Sequence, residues 1–316
     1  MIPAAAIQAS ESRFHLGSEI GLSSGTPHVS LILPSFNEGE KLRQTVESLL
    51  ANTRQSFEIL VVDNGSTDGS SDFLRDLSPN DAVRLLRTQT RLGVVGARHA
   101  GADQARGEVL VFCDAHMLFP RDWLTPLLAE LSPEVGLVGP AISIWGQPEG
   151  PLACGSVWEK ASLELAQIYL PNDEPADVAI IGGGCQVMRR DLFRELGGYD
   201  SGMVDWGIED QELCLRLWTL GYRVRVVPLV RVQHYYRDFV PYAQWPNVTY
   251  NKLRMVLTHF SDARVTTSVK AISQEPGFTE AFARVADSDV WDRRAALEDR
   301  RVHDAEWFFA RFAMTF

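Results

Sequence analysis

Short apolar runs alternate with amphipathic stretches through the first third of the chain. Val29-Ser30-Leu31-Ile32-Leu33 is rich in β-formers and is expected to stop at Pro34. Leu42, Val46, Leu49 and Leu50 follow at i, i+4, i+7 and i+8, one face of a helix. Asn37 stands ahead of that helix with Glu40 three residues on, a capping-box-like pair. The segment from Phe57 to Val62 reads as a strand buried on both faces. The turn cluster Asp63-Asn64-Gly65-Ser66-Thr67-Asp68-Gly69 ends it. A second helix, a strand over 83–86, a third helix near 93–105 and a strand over 109–113 complete the series.

This alternation predicts an α/β fold with a doubly wound sheet, whose ligands bind at the carboxyl ends of the strands. The polar, loop-type residues do gather there, at 34–38, 63–68 and 114–116. The second half is less regular. Ala179-Ile180-Ile181 runs into Gly182-Gly183-Gly184, then a helix near 191–196 and a turn at Gly197-Gly198. Leu213, Leu217 and Leu220 mark another helix, and a strand follows over 222–227. Residues 238–316 are expected to form a helical extension packed on the rest. In it, Trp291, Trp307, Phe308 and Phe309 read as packing anchors, as does Trp123 earlier in the chain.

The chain has 316 residues and a formal net charge of −11, with no segment dense in Lys or Arg. Broad nucleic-acid binding is thereby excluded, since neutralising phosphates needs clustered cations. An acidic protein that binds an anionic nucleotide must concentrate positive charge locally, through a few arginines, a metal ion or both. Cys113, Cys154, Cys185 and Cys214 lack zinc or redox-motif spacing and read as reduced thiols. Residues 1–27 are rich in small residues and read as a mobile arm. Their apolar run Ala4-Ala5-Ala6-Ile7 lacks the basic flank of a signal peptide. No stretch offers the roughly 20 apolar residues of a membrane span. A cytoplasmic location is the expectation; were the acceptor a lipid, the protein would visit the membrane surface rather than span it.

Cys113-Asp114-Ala115-His116 follows the last strand of the series. Side chains two apart in extended chain point the same way, so Asp114 and His116 can share one divalent cation. Mixed carboxylate and imidazole ligation suits Mn²⁺ or a similar ion better than Ca²⁺. Taken alone, such a triplet more often means an Asp that caps the next turn beside a surface histidine.

The runs Leu33-Pro34-Ser35-Phe36-Asn37-Glu38 and Val61-Val62-Asp63-Asn64-Gly65-Ser66-Thr67-Asp68 resemble the nucleotide-binding half of family 2 glycosyltransferases. The D-x-H triplet is similar to that of polypeptide N-acetylgalactosaminyltransferases. The likeness continues through Tyr199-Asp200-Ser201-Gly202-Met203, Trp206-Gly207-Ile208-Glu209-Asp210 and Val232-Gln233-His234-Tyr235-Tyr236-Arg237, with Pro241-Tyr242 beyond. The resemblance implies a GT-A fold over 28–237 with a mixed, mostly parallel sheet, a nucleotide-sugar donor (a UDP-sugar) and a Mn²⁺ or Mg²⁺ cofactor. It implies that Asp63 contacts the base, that Pro34 and Glu38 line that pocket, and that His234 joins Asp114 and His116 on the metal. Arg98 and Arg237 are candidates to offset the diphosphate charge, since a guanidinium binds phosphate oxygens bidentately. Gly182, Gly183 and Gly184 allow close approach to the donor sugar, or make a simple turn. Trp206 is expected to line the acceptor pocket.

An inverting transfer needs a general base for the acceptor hydroxyl. In family 2 enzymes the Asp of an E-D pair resembles that base, here Asp210, with Glu209 orienting the acceptor. The same two acids also suit the first turn of a helix, where negative charge is favoured. The polypeptide transferases retain configuration and carry Asn after the Glu, so this chain departs from them at Asp210. A retaining enzyme of that kind, a nucleotidyltransferase and a non-catalytic sugar-nucleotide-binding protein are the rival readings. The acceptor class is left open among peptide, glycan, natural product and lipid.

Overall fold

The computed structural model describes residues 7–9, 28–75, 82–237 and 244–316. Strand β1 (Ile7–Ala9) lies within the expected N-terminal arm and pairs antiparallel with β4; the rest of that arm lies outside the described residues. The alternating series follows as β2 (Val29–Ser35), α1 (Glu40–Asn52), β3 (Phe57–Asp63), β4 (Val83–Thr88), α2 (Gly93–Gln104) and β5 (Val109–Cys113). Every residue of β3 and β5 is buried, as expected of apolar strands covered on both faces, and in β3 this includes Glu58 and Asp63. Next come β6 (Met117–Leu118), α3 (Leu124–Ala129), β7 (Val135–Ile144), β8 (Ser156–Trp158), β9 (Leu165–Gln167), β10 (Ala176–Asp177) and β11 (Cys185–Arg189). The chain continues through α4 (Arg190–Glu195), α5 (Glu209–Thr219) and β12 (Arg223–His234). It ends in α6 (Trp245–His259), α7 (Asp262–Ile272), α8 (Phe278–Ala286), α9 (Val290–Glu298) and α10 (Ala305–Arg311).

Ten strands form one sheet in the order β1-β4-β3-β2-β5-β11-β7-β12-β10, with β6 also paired to β12. Strands β2 to β5 are mutually parallel, and β12 runs parallel to β7. Strand β11 is antiparallel to both β5 and β7. Two apolar clusters form around the sheet, one around Leu31, Val61 and Trp123, the other around Ile32, Trp158 and Phe308. Trp123 is buried as expected, and its indole N–H donates to Thr53 Oγ1 at 3.1 Å. Phe308 and Phe309 are buried too, but Trp291 is 54% exposed and anchors nothing.

Several local expectations need correction. Strand β2 does not stop at Pro34 but runs to Ser35. Asn64 N–H donates to the Ser35 carbonyl, so Ser35 faces β3 and Pro34 faces the other way, beyond the last β2–β5 pair at Ile32. The proline's missing N–H therefore costs the ladder nothing. Asn37 does not cap α1; its Oδ1 accepts from Thr67 N–H at 2.8 Å, and the Asp68 carboxylate takes Gly39 N–H. The neighbouring 63–69 turn outcompetes the helix for these groups. Where a second helix was expected, the described residues hold only the short 3₁₀ turn Asp72–Leu74. Strand β12 extends well past 227, through a register shift in which Val227 pairs with Pro140 and Arg231 with the adjacent Ala141. Residues 228–230 form the bulge between them.

The C-terminal helices grip α5 from behind through buried ions. Arg254 on α6 holds Asp200 at 2.7 and 2.9 Å, and Arg293 on α9 reaches Glu212 on α5 at 3.0 Å. Glu212 also receives Arg216 at 2.9 Å and His259 at 3.0 Å. The four cysteines are all buried and free. No described helix is long and apolar enough to cross a membrane.

Candidate active site

Strand ends supply the first wall of the site. Asp114 follows β5, His116 precedes β6, and His234 closes β12. The antiparallel β6–β12 pair sets Met117 opposite His234. One ligand atom from each of Asp114, His116 and His234 lies within 4.8 Å of the other two. His234 Nε2 stands 3.2 Å from Asp114 Oδ2, and His116 Nε2 stands 4.0 Å from it. Neighbouring ligands on an ion with bonds near 2.1 Å are separated by about 3–3.5 Å. One carboxylate and two imidazoles at this spacing fit a divalent transition metal.

His116 is oriented from behind. Its Nδ1 donates to Glu38 Oε2 at 2.9 Å, which leaves Nε2 as the lone-pair nitrogen. The same Glu38 oxygen takes the Arg237 guanidinium. Burial alone would lower the His116 imidazole, but the bonded Glu38 and nearby Asp114 raise it. Burial would likewise raise Asp114, yet the His234 hydrogen bond, His116 and Arg98 hold its carboxyl down to about 2. It is an anion throughout the neutral range.

Two cavities meet at Asp114, His116 and Trp206. The smaller, about 60 Å³, is a cleft between Pro34, Phe36, Glu38, Asn64 and Arg91 at the ends of β2 and β3. The larger, about 580 Å³, is bounded by the 182–184 glycines, Glu209, Asp210, His234 and Arg237. Its far side is made by Leu163, Leu165, Trp245, Val248 and Lys252. Trp206 lines both.

Two residues expected to contact the donor are engaged by other parts of the chain. Asp63 lines neither cavity: its carboxylate is already taken by Ser66 N–H at 2.8 Å, by Ser71 Oγ and by Arg87 at 3.3 Å. Asp63 organises the turn, and its neighbour Asn64 reaches the cleft. Arg98 lines the larger cavity, but it is only 2% exposed and its guanidinium is engaged by the site's own groups. It holds Glu209 at 3.1 Å, the Gly183 carbonyl at 2.8 Å and Asp114 at 3.7 Å. A Cβ on Gly183 would come within 2.7 Å of that guanidinium, so any other residue there would push the arginine aside. Gly184 sits opposite, its carbonyl accepting Asp114 N–H at 2.9 Å.

Helix α5 delivers the two acids. Glu209 is buried, with Oε1 on Arg98 and Oε2 accepting Gly207 N–H at 2.9 Å. Burial and repulsion from Asp210 push it up to about 7, against the pull of Arg98. Among the described residues Asp210 has no side-chain partner of opposite charge within ion-pair distance; Oδ2 accepts Gly183 N–H and Oδ1 accepts Gln211 N–H, both at 2.8 Å. Burial raises it, against Arg98 and those backbone N–H groups. Of the two acids, Glu209 is bound to Arg98, and Asp210 holds its carboxylate between two backbone N–H groups on the wall of the larger cavity. Sequence reasoning missed Phe36 and Arg91, which stack at 4.6 Å, and the far-side residues from β9 and α6. Phe36 was visible within its motif, but nothing in the sequence ties α6 to the cavity.

Residues 30–197 match the family description "Glycosyl transferase family 2", and residues 171–238 match "N-terminal domain of galactosyltransferase". N-acetylgalactosaminyltransferase 7 of Drosophila melanogaster is 30% identical over 319 residues, covering 91% of this chain and 53% of that protein. Polypeptide N-acetylgalactosaminyltransferase 14 of Homo sapiens is 34% identical over 233 residues, covering 68% and 42%. The chain spans about half the length of the curated relatives it matches. Among solved structures, "GalNAc-T7 with UDP, GalNAc and Mn2+" superposes with a TM-score of 0.74 at 23% identity, over 92% of this chain and 57% of that one. A mannosyltransferase from Pyrobaculum calidifontis in complex with GDP-Man and Mn2+ gives 0.54 at 21% identity, over 89% and 77%. These likenesses establish the GT-A fold. With its two-cavity cleft at the strand ends and a match covering more than half its length, the chain belongs to glycosyl transferase family 2.

Proposed function

We propose that this protein is a metal-dependent glycosyltransferase that moves a sugar from a UDP-sugar to an acceptor hydroxyl with inversion of configuration. The observation that carries the reading is the convergence of Asp114, His116 and His234 on one wall of the larger cavity, with Asp210 on another. The smaller cleft takes the nucleoside, with Pro34 and Phe36 against the base and Arg91 beside them. Asp114, His116 and His234 would hold Mn²⁺, the ion named with the similar GalNAc-T7 and mannosyltransferase structures. Bound there, the ion supplies positive charge for the departing diphosphate. Arg237, held by Glu38 at the cavity edge, adds to it.

Asp210 acts as the base. It accepts the acceptor's hydroxyl proton as that oxygen bonds to the anomeric carbon and the bond from that carbon to the diphosphate oxygen breaks. Gly183 N–H keeps the accepting carboxylate aimed, and Glu209 with Arg98 fixes the floor beneath it. A panel of nucleotide sugars with Mn²⁺, followed by release of nucleoside diphosphate, tests the class without a known acceptor. UDP-sugar turnover that EDTA abolishes is expected; a protein that neither binds nor hydrolyses any nucleotide sugar would overturn it.

A second reading is a retaining enzyme like the polypeptide N-acetylgalactosaminyltransferases. The relatives at 30–34% identity favour it, since most carry that name. An NMR time course of the product's anomeric configuration separates the two.

A further inference from the structure

The backbone that carries Trp206 is held in an unfavourable shape. Asp205 has φ 59°, Gly207 φ 97° and Ile208 φ 78°. Left-handed backbone at a β-branched residue such as Ile208 is a rare state, which persists only where surroundings over-determine it. On one side α2 supplies the surroundings. Val94 N–H donates to the Asp205 carbonyl at 2.7 Å, and Arg91 pairs with the Asp205 carboxylate. A Cβ on Gly93 would lie 2.8 Å from the Asp205 carbonyl oxygen, so the approach needs a glycine.

On the other side one residue does most of the holding. Asn251 on α6 is 1% exposed. Its Nδ2 donates to the carbonyls of Val204 at 2.8 Å and Gly207 at 2.9 Å, with that of Trp206 at 3.5 Å. Its Oδ1 accepts Val204 N–H at 2.9 Å. Only a carboxamide offers two donors and an acceptor in one plane. An apolar side chain of the same size would strand three backbone groups, and a carboxylate would face two carbonyls without a proton to give them.

The pinned segment ends on the chemistry. Trp206 is common to both cavities, and Gly207 N–H fixes Glu209 Oε2. We infer that Asn251 is a positioning residue, which sets Trp206 and Glu209 by clamping backbone 204–207 from α6. The inference rests on the reading of these cavities as the sugar-transfer site. The metal trio sits on other elements, at the ends of β5 and β12, and is independent of the clamp.

The test compares wild type with Asn251→Ala and Asn251→Asp. Turnover of a UDP-sugar should fall by about 10²-fold in both, the scale of a misplacement near 1 Å. Affinity for Mn²⁺ alone, measured by electron paramagnetic resonance, should be unchanged. In protein labelled with 5-fluorotryptophan, the Trp206 fluorine line, assigned with Trp206→Phe, should shift or broaden in both variants. Full turnover with an unmoved line overturns the proposal, and so does loss of turnover and Mn²⁺ affinity in step. If neither variant folds, amide exchange in wild type decides: Val204 N–H must be protected, and fast exchange there defeats the clamp. Wild type that turns over no nucleotide sugar refutes the transfer reading alone, because the fluorine and exchange arms still judge Asn251.

Discussion

The carboxylate of Asp210 accepts the backbone N–H of Gly183 across the cavity at 2.8 Å, joining the first turn of α5 to the glycine loop that leads into β11. The bond fixes one oxygen of the proposed base without neutralising its charge. Asp210→Asn retains shape and removes basicity. It is expected to bind a UDP-sugar like wild type and to transfer about 10²–10⁴-fold more slowly. Calorimetry for binding and stopped-time product assays for rate check this; a variant with wild-type rate removes Asp210 from the mechanism.

Metal affinity should respond to the residue behind the ligands as well as to the ligands. Asp114→Ala is expected to abolish Mn²⁺ binding. Glu38→Gln keeps a hydrogen-bond acceptor for His116 but loses the negative charge, and should weaken Mn²⁺ by about 10–100-fold. Titration with Mn²⁺ alone reads both, and equal affinities across the set would dismantle the site.

Stability should depend on pH through His259. Its Nε2–H donates to Glu212 Oε1 at 3.0 Å and its Nδ1 accepts from Arg301 at 3.3 Å, so the folded state holds the neutral ring. Burial outweighs the opposing pull of Glu212 and lowers it from 6.5 to about 4. The unfolded chain takes up the proton first as pH falls. This contribution is therefore whole above pH 6.5 and is lost as pH drops toward 4, by up to about 3 kcal/mol. Urea unfolding across this window should show a shallower pH dependence for His259→Gln, whose amide can replace both bonds. Identical slopes would refute the assignment.

Arg254→Met should destabilise the fold by about 3 kcal/mol, because Asp200 then stays buried after losing the closer of its two arginines and keeps Arg293 at 3.1 Å and Gly202 N–H at 3.0 Å. Asp200→Asn in that background should recover part of the loss. Additive losses in a double-mutant cycle would mean the two residues do not interact.

What was legible in the sequence was what obeys short-range rules. The strands β2 to β5 announce themselves through short runs rich in apolar residues, and D-x-H spacing in extended chain brings Asp114 and His116 to one point. His234 was found only by resemblance, because it meets them from 118 residues beyond His116 in the sequence, through sheet pairing. Arg98 and Asp63 meet the same limit. A side chain's type shows what it can bind, whereas Glu209 and the Gly183 carbonyl on Arg98, or Ser71 and Arg87 on Asp63, are partners only the fold supplies. Asn251 gave no signal, since a lone asparagine within a helix looks like any surface residue until the 204–207 backbone is set against it.

Beyond the bulge at residues 228–230, the last residues of β12 carry a rule of parity. Side chains alternate along a strand, so the count of residues from Arg231, where pairing with β7 resumes, to His234 decides which face of the sheet the imidazole meets. Adding or deleting one residue there would turn His234 away from Asp114 while leaving every side chain of the trio chemically intact. Length changes in even steps are the ones that preserve its aim, so loop grafting or shuffling between homologous sheets must respect that count.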